Sequence, residues 1–195
     1  MRTLVARLVM LGLAVEPRTA AAQWGVSAEI GAAWFRGTSH DSSGATVGPY
    51  RPTTFGVRLD RDLGAVRVAL DVLYAAPGLA GENGDLAFVQ DGVLSLWEIV
   101  PEIGIRLGRF GAGVEARVEA GPALDLWEFN GEQRHRLGAR GGLALEWPLA
   151  RSLSGALRVS GAWSGSMVDP DDVPAGVERV STRRLGVGLA LRYRL

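Results

Sequence analysis

The sequence predicts an all-β fold: eight antiparallel strands closed into an up-and-down, transmembrane β-barrel with a filled polar interior. Three observations predict it. Apolar and polar residues alternate with a period of two along eight separate stretches. The connections between those stretches alternate between tight turns and longer polar segments. The chain also ends on such a stretch: Leu185, Val187, Leu189, Leu191, Tyr193 and Leu195 are apolar, while Arg184, Gly186, Gly188, Ala190, Arg192 and Arg194 between them are small or charged.

Composition narrows the classes. A chain of 195 residues has room for one domain, and its 27 Gly suit a turn-rich β protein. With no Cys there is no disulfide framework, thiolate metal site or cysteine nucleophile. All 21 basic residues are Arg, and they balance 21 acids, so a nucleic-acid partner is not expected. No apolar run is long enough for a transmembrane helix. Residues 1–22 read as a secretory signal peptide: Arg2 gives a positive start, Leu8 to Val15 an apolar core, and Ala20, Ala21 and Ala22 a small-residue cleavage site. The barrel domain is then 23–195.

The first strand, 23–36, carries Trp24, Val26, Ala28, Ile30, Ala32 and Trp34 on one face. Those two Trp stand about 25 Å apart along a tilted strand, the height of a barrel's lipid-facing band. A polar segment, 37–52, reads as a loop. Phe55, Val57 and Leu59 then alternate with Arg58 and Asp60, and a tight turn at Leu63-Gly64 leads to Val66, Val68, Leu70, Val72 and Tyr74 around Arg67 and Asp71. A two-residue turn there sets Asp60 opposite Arg67. Residues 75–92, with Pro77, form the second loop. Strand 93–107 turns Trp97, Ile99, Ile103 and Ile105 one way and Glu98, Glu102 and Arg106 the other, with Pro101 on the apolar face predicting a bulge or distortion. A turn at Arg109-Phe110 leads into 112–126, where Glu115, Arg117, Glu119 and Asp125 share a face, and sets Glu102 opposite Arg117. A short loop around Asn130-Gly131 precedes 137–147, with Arg140, Glu146 and Trp147. Pro148 to Ser152 turns the chain into 153–164, with Arg158 and Trp163, and an acidic loop, 169–178, precedes the closing strand.

With the amino-terminus in the periplasm, the apolar-face aromatics fall into two girdles. Trp24, Trp147 and Tyr193 lie low; Trp34, Phe55, Tyr74, Trp97 and Trp163 lie high, as membrane-interface residues do. The closing strand, with an aromatic two places before an apolar terminus, resembles the carboxy-terminal strand of bacterial outer-membrane barrels, with Leu195 where Phe is usual. The whole 23–195 pattern resembles the OmpA, OmpX and OmpW-like group of small barrels. That resemblance implies a porin-like barrel of the Gram-negative cell envelope without a wide pore. It further implies a structural or surface-interaction role, insertion by the barrel-assembly machinery, contact with outer-membrane lipid and lipopolysaccharide, and a monomer.

The alternation alone also suits a soluble lipocalin-like barrel, whose apolar face lines a ligand cavity. Uncharged apolar faces, aromatics at the strand ends and a chain closing on a strand favour the membrane arrangement. The charged faces then point inward, where an unpaired charge costs several kcal/mol. A luminal network of ion pairs follows, centred on Asp60, Arg67, Glu98, Glu102, Arg106, Glu115, Arg117, Glu119, Arg140 and Arg158. Glu29, Asp71, Asp125, Glu146, Arg58, Arg184, Arg192 and Arg194 share its parity.

Catalysis is the alternative class, since some barrels of this kind modify lipid A. His40-Asp41-Ser42 holds the right residue types, but in a Gly/Ser loop that does not fix a base against its nucleophile. His135 has no Ser beside it. Asp169, Asp171 and Asp172 lack the spacing and glycine of a calcium loop. No catalytic residue, metal or cofactor is therefore assigned.

Overall fold

The computed structural model describes residues 23–36, 39–40, 46–50, 52–83, 86–90, 94–129, 131–166 and 181–195. Both the expected signal peptide and the acidic segment 169–178 lie outside them. All regular structure among the described residues is β. Eight strands form a closed antiparallel barrel: β1 (Trp24–Arg36), β4 (Thr53–Leu63), β5 (Val66–Ala75), β8 (Leu94–Phe110), β9 (Val114–Phe129), β10 (Glu132–Pro148), β11 (Leu153–Ser164) and β12 (Thr182–Arg194). Each pairs with its neighbour in the chain, and β12 closes the ring on β1, from Gly25–Arg194 to Arg36–Arg183.

The alternation decides which side is which. Ser27, Arg58, Asp71, Glu98, Glu119, Arg140, Arg158 and Arg192 are buried inside. Residues of the opposite parity face out: Ile30, Val57, Ile103 and Leu189 are each more than half exposed. This is the reverse of a lipocalin, with the charged face enclosed and the apolar face outside.

Two segments expected to be loops contain strands. Residues 37–52 include β2 (Ser39–His40) and β3 (Thr46–Tyr50), and 75–92 include β6 (Gly78–Asn83) and β7 (Leu86–Gln90). They pair in the order β2-β3-β6-β7 as a second, four-stranded sheet. Their Gly and Pro content concealed the pattern, and their pairing joins two connections that are distant in sequence. Most of the expected third loop is also strand: Glu128 and Phe129 belong to β9 and Glu132 to Arg134 to β10, with Phe129 paired to Glu132.

Turn geometry corrects both predicted registers. The first hairpin turns at Gly64-Ala65, one residue later than expected, because Gly64 takes the positive φ (81°) that a two-residue hairpin needs. Arg67 therefore faces Asp62, and Asp60 faces Ala69. The β8–β9 turn is Gly111-Ala112-Gly113, so Arg117 stands opposite Arg106 and not Glu102.

Pro101 distorts the wall, but without a bulge at that point. The register to β9 is the same on both sides of it, and the only shift in that pair falls between Arg106 and Gly108. What fails is the ladder: β8 and β9 have no paired residues between Ile99–Leu124 and Ile103–Ala120. Extending the register sets Pro101 directly opposite Pro122. Pro101 still pairs with Leu70 of β5, and Pro122 with Ala139 of β10. Both missing N–H donors thus fall on one seam.

Candidate functional site

The enclosed charges form a column of ion pairs along the barrel axis. At its centre Arg58 donates to Glu102 (2.6 Å) and to both oxygens of Glu119 (2.8 and 3.0 Å). Arg140 donates to Glu102 and Glu98, at 2.9 Å each, and to Asp71. Arg158 reaches Glu29 at 2.7 Å and Glu119 at 3.7 Å. Towards the loop end Arg184 forks onto Glu98 (2.5 and 2.6 Å). At the other end, where the tight turns and Leu195 lie, Arg192 donates to Asp60 and Asp62, and Arg67 to Asp62 and Glu146. Arg117 meets Glu115 (2.7 Å) and Asp62 (3.3 Å).

Most of these bonds cross the lumen and do not run between adjacent strands. Arg58 on β4 grips Glu119 on β9; Arg67 on β5 grips Glu146 on β10. Adjacent strands often oppose like charges instead: Glu98 faces Asp125, Glu115 faces Glu146, and Arg106 faces Arg117. In so narrow a barrel the nearest opposite charge is the one across the axis. Glycines make the room. A Cβ on Gly25 would sit 2.6 Å from the Arg192 guanidinium, and one on Gly188 would collide with Glu29.

No protein-family model matches the chain, and no curated protein matches it by sequence. Solved structures do. Neisserial surface protein A superposes with a TM-score of 0.52 at 13% identity, over 86% of this chain and 95% of that one. The N-terminal β-barrel domain of Pseudomonas aeruginosa OprF gives 0.49 at 13% identity, over 88% and 99% of the two chains. Ail of Yersinia pestis gives 0.44 at 11%, again over 88% and 99%. The chain has the fold of the small outer-membrane β-barrels.

Within that fold the ten network residues named from the sequence all lie on the inner parity, and they differ in setting. Asp60, Arg67, Glu98, Glu102, Arg117, Glu119, Arg140 and Arg158 are buried, whereas Arg106 and Glu115 line the open turn end. The aromatics sort by register as listed from the sequence: Trp24 beside Arg61, Tyr193 beside Leu153 and Trp147 beside Gly155 at the turn end, and Trp34, Phe55, Tyr74, Trp97 and Trp163 towards the other. Tyr74 and Trp97 pack together with ring centroids 4.8 Å apart, and Arg61 lies over the Trp24 ring.

Sequence reading missed two inward residues, Asp62 and Trp127, while Ser154 falls with Arg158 on the polar face read from the sequence. Asp62, which contacts Arg67, Arg117 and Arg192, continues the parity of Arg58 and Asp60 in a strand that runs two residues beyond its expected end. Ser154 donates to Glu146 at 2.8 Å. Trp127 is buried with Leu73, Ala75, Leu94 and Leu96, edge-on to Phe35 at 5.8 Å, so an apolar cluster shares the loop end of the lumen with Arg184. As for the histidines, His135 is exposed on β10 opposite Leu126, and His40 pairs with Thr46 in the second sheet. Asp41 and Ser42 lie outside the described residues.

Proposed function

We propose that this protein is an outer-membrane barrel of the bacterial envelope, exported by its amino-terminal signal peptide, with a structural or surface-interaction role and neither catalytic activity nor a wide pore. The outward face carries this reading. Ile30, Val57, Ile103, Leu143, Val159 and Leu189 lie at mid-height around the ring, each 41–59% exposed. A continuous apolar belt of that kind is a liability in water and the requirement in lipid. The interior supports the rest: its cations and acids are engaged with one another across the lumen, which favours a filled interior over an open channel.

Outer-membrane lipid and lipopolysaccharide are the partners this surface suits. Arg36 and Arg183 are direct strand partners, both exposed at the loop end and next to Trp34 and Trp163. Two adjacent guanidiniums on an outward face repel each other. Anionic headgroup phosphates remove that repulsion, and the Trp rings suit the same interfacial depth. A closed ring has no unpaired edge, which supports a monomer. The β12 alternation, ending in Tyr193 and Leu195, supports delivery by the barrel-assembly machinery.

Gel mobility tests the placement. Extracted from membranes in mild detergent, the protein migrates as a compact band when unheated and shifts on boiling. Recovery in the soluble fraction without a shift overturns the proposal.

A further inference from the structure

At the turn end the lumen opens into a cavity of about 280 Å³. Six arginines line it against three carboxylates, and Asp60, bound to Arg192, is a fourth acid behind them. Two positive charges are in excess. The excess is concentrated at the β8–β9 hairpin, where Arg106, Arg109 and Arg117 all converge on the single carboxylate of Glu115, at 3.8, 2.5 and 2.7 Å. Arg106 and Arg117 are also strand partners, so two guanidiniums are held side by side. Arg117 is 2% exposed, yet its Nε and Nη1 have no hydrogen-bond acceptor, and the Nε of Arg194 across the cavity has none either. Arg117 also meets Asp62 at 3.3 Å; elsewhere in the lumen Arg58, Arg158 and Arg184 each leave one nitrogen without an acceptor, where Arg117 leaves two.

A buried guanidinium with vacant donors beside a second guanidinium is unfavourable unless something anionic completes it. We infer that this vestibule binds a phosphate dianion, free or as a phosphomonoester, between Arg117, Arg106 and Arg109. The charge decides the class: two uncompensated cations match a dianion, where a carboxylate supplies one charge. Guanidinium forks bind phosphate oxygens in pairs, and Arg109, two-thirds exposed near the end of β8, is placed to close over the ligand. Glu115 competes for the same three donors. Its removal strengthens binding.

Calorimetric titration of inorganic phosphate into the purified full chain, in a sugar-headgroup detergent free of phosphate, tests this. The expected result is saturable binding that Arg117→Gln and Arg109→Gln each weaken about tenfold or more, and that Glu115→Gln tightens. Arg109 is two-thirds exposed near the end of β8, so its variant folds even if Arg117→Gln does not, and retained gel mobility of unheated samples checks each. Dihexanoyl phosphatidic acid forms the second arm. Binding of phosphate itself identifies a soluble ligand; binding of the short lipid alone, with the same dependence on the variants, identifies a headgroup. Binding of neither by the parent protein, or affinities indifferent to all three substitutions, overturns the inference.

Discussion

Arg58 illustrates what a single residue does in this interior. It is 1% exposed and satisfies Glu102 and Glu119 together. Replacing it leaves Glu102 to Arg140 alone and Glu119 to Arg158 at 3.7 Å, with the closest cation of both enclosed acids gone. Arg58→Met is therefore expected to cost about 3–5 kcal/mol of unfolding free energy, read from urea titration of the folded barrel in lipid. A cost below about 1 kcal/mol would mean the lumen is wet enough to hydrate both acids. Gly25→Val tests the space around the network. The new side chain meets the Arg192 guanidinium and displaces it from Asp60, so the urea midpoint falls although no charge is removed.

Strand parity was legible in the sequence; strand register was not. Parity needs only alternation, and it placed Asp60, Glu98, Arg140 and the other network residues inside. Register depends on where a turn puts its glycine, and Gly64 and Gly111 each moved the turn beyond the residues chosen for it. The two opposite-charge pairs read from sequence, Asp60 with Arg67 and Glu102 with Arg117, were guided by a neighbour-pairing rule for open sheets. In this narrow barrel the rule holds at Asp62–Arg67 and Arg58–Asp71 and fails at Glu98–Asp125, Glu115–Glu146 and Arg106–Arg117. Arg67 lies 3.5 Å from Asp60 all the same, reaching it diagonally. The Pro101–Pro122 seam needed the register before it could be seen. Restoring both donors with Pro101→Val and Pro122→Val is expected to stabilise the barrel by about 1–2 kcal/mol in the same urea titration. Gly121→Ala should do the opposite, since its Cβ runs into the Pro101 carbonyl.

As a whole, the described barrel is a closed wall around a network of ion pairs, with an apolar cluster at one end and an open vestibule at the other. A filled lumen predicts no steady conductance steps in planar bilayers; stable openings of porin size would show that the ion pairs come apart. Replacing His40 and His135 together with Ala is expected to leave lipid A unchanged by mass spectrometry, and loss of a modification would reinstate an enzyme. The sheet of β2, β3, β6 and β7 was hidden in the sequence because its pairs, such as Val47 with Gly81, join separate connections.

Luminal bonds that cross the axis also govern how such a chain can change over generations. Arg184 and Glu98 are 86 residues apart, Arg67 and Glu146 79, and Arg58 and Glu119 61. A substitution at one of these positions cannot be compensated by its neighbour on the next strand, which often carries the same charge. The compensating change must arise on the far wall. Among diverged descendants of this sequence, correlated substitutions inside the barrel should therefore trace diameters, while those on the lipid face drift independently.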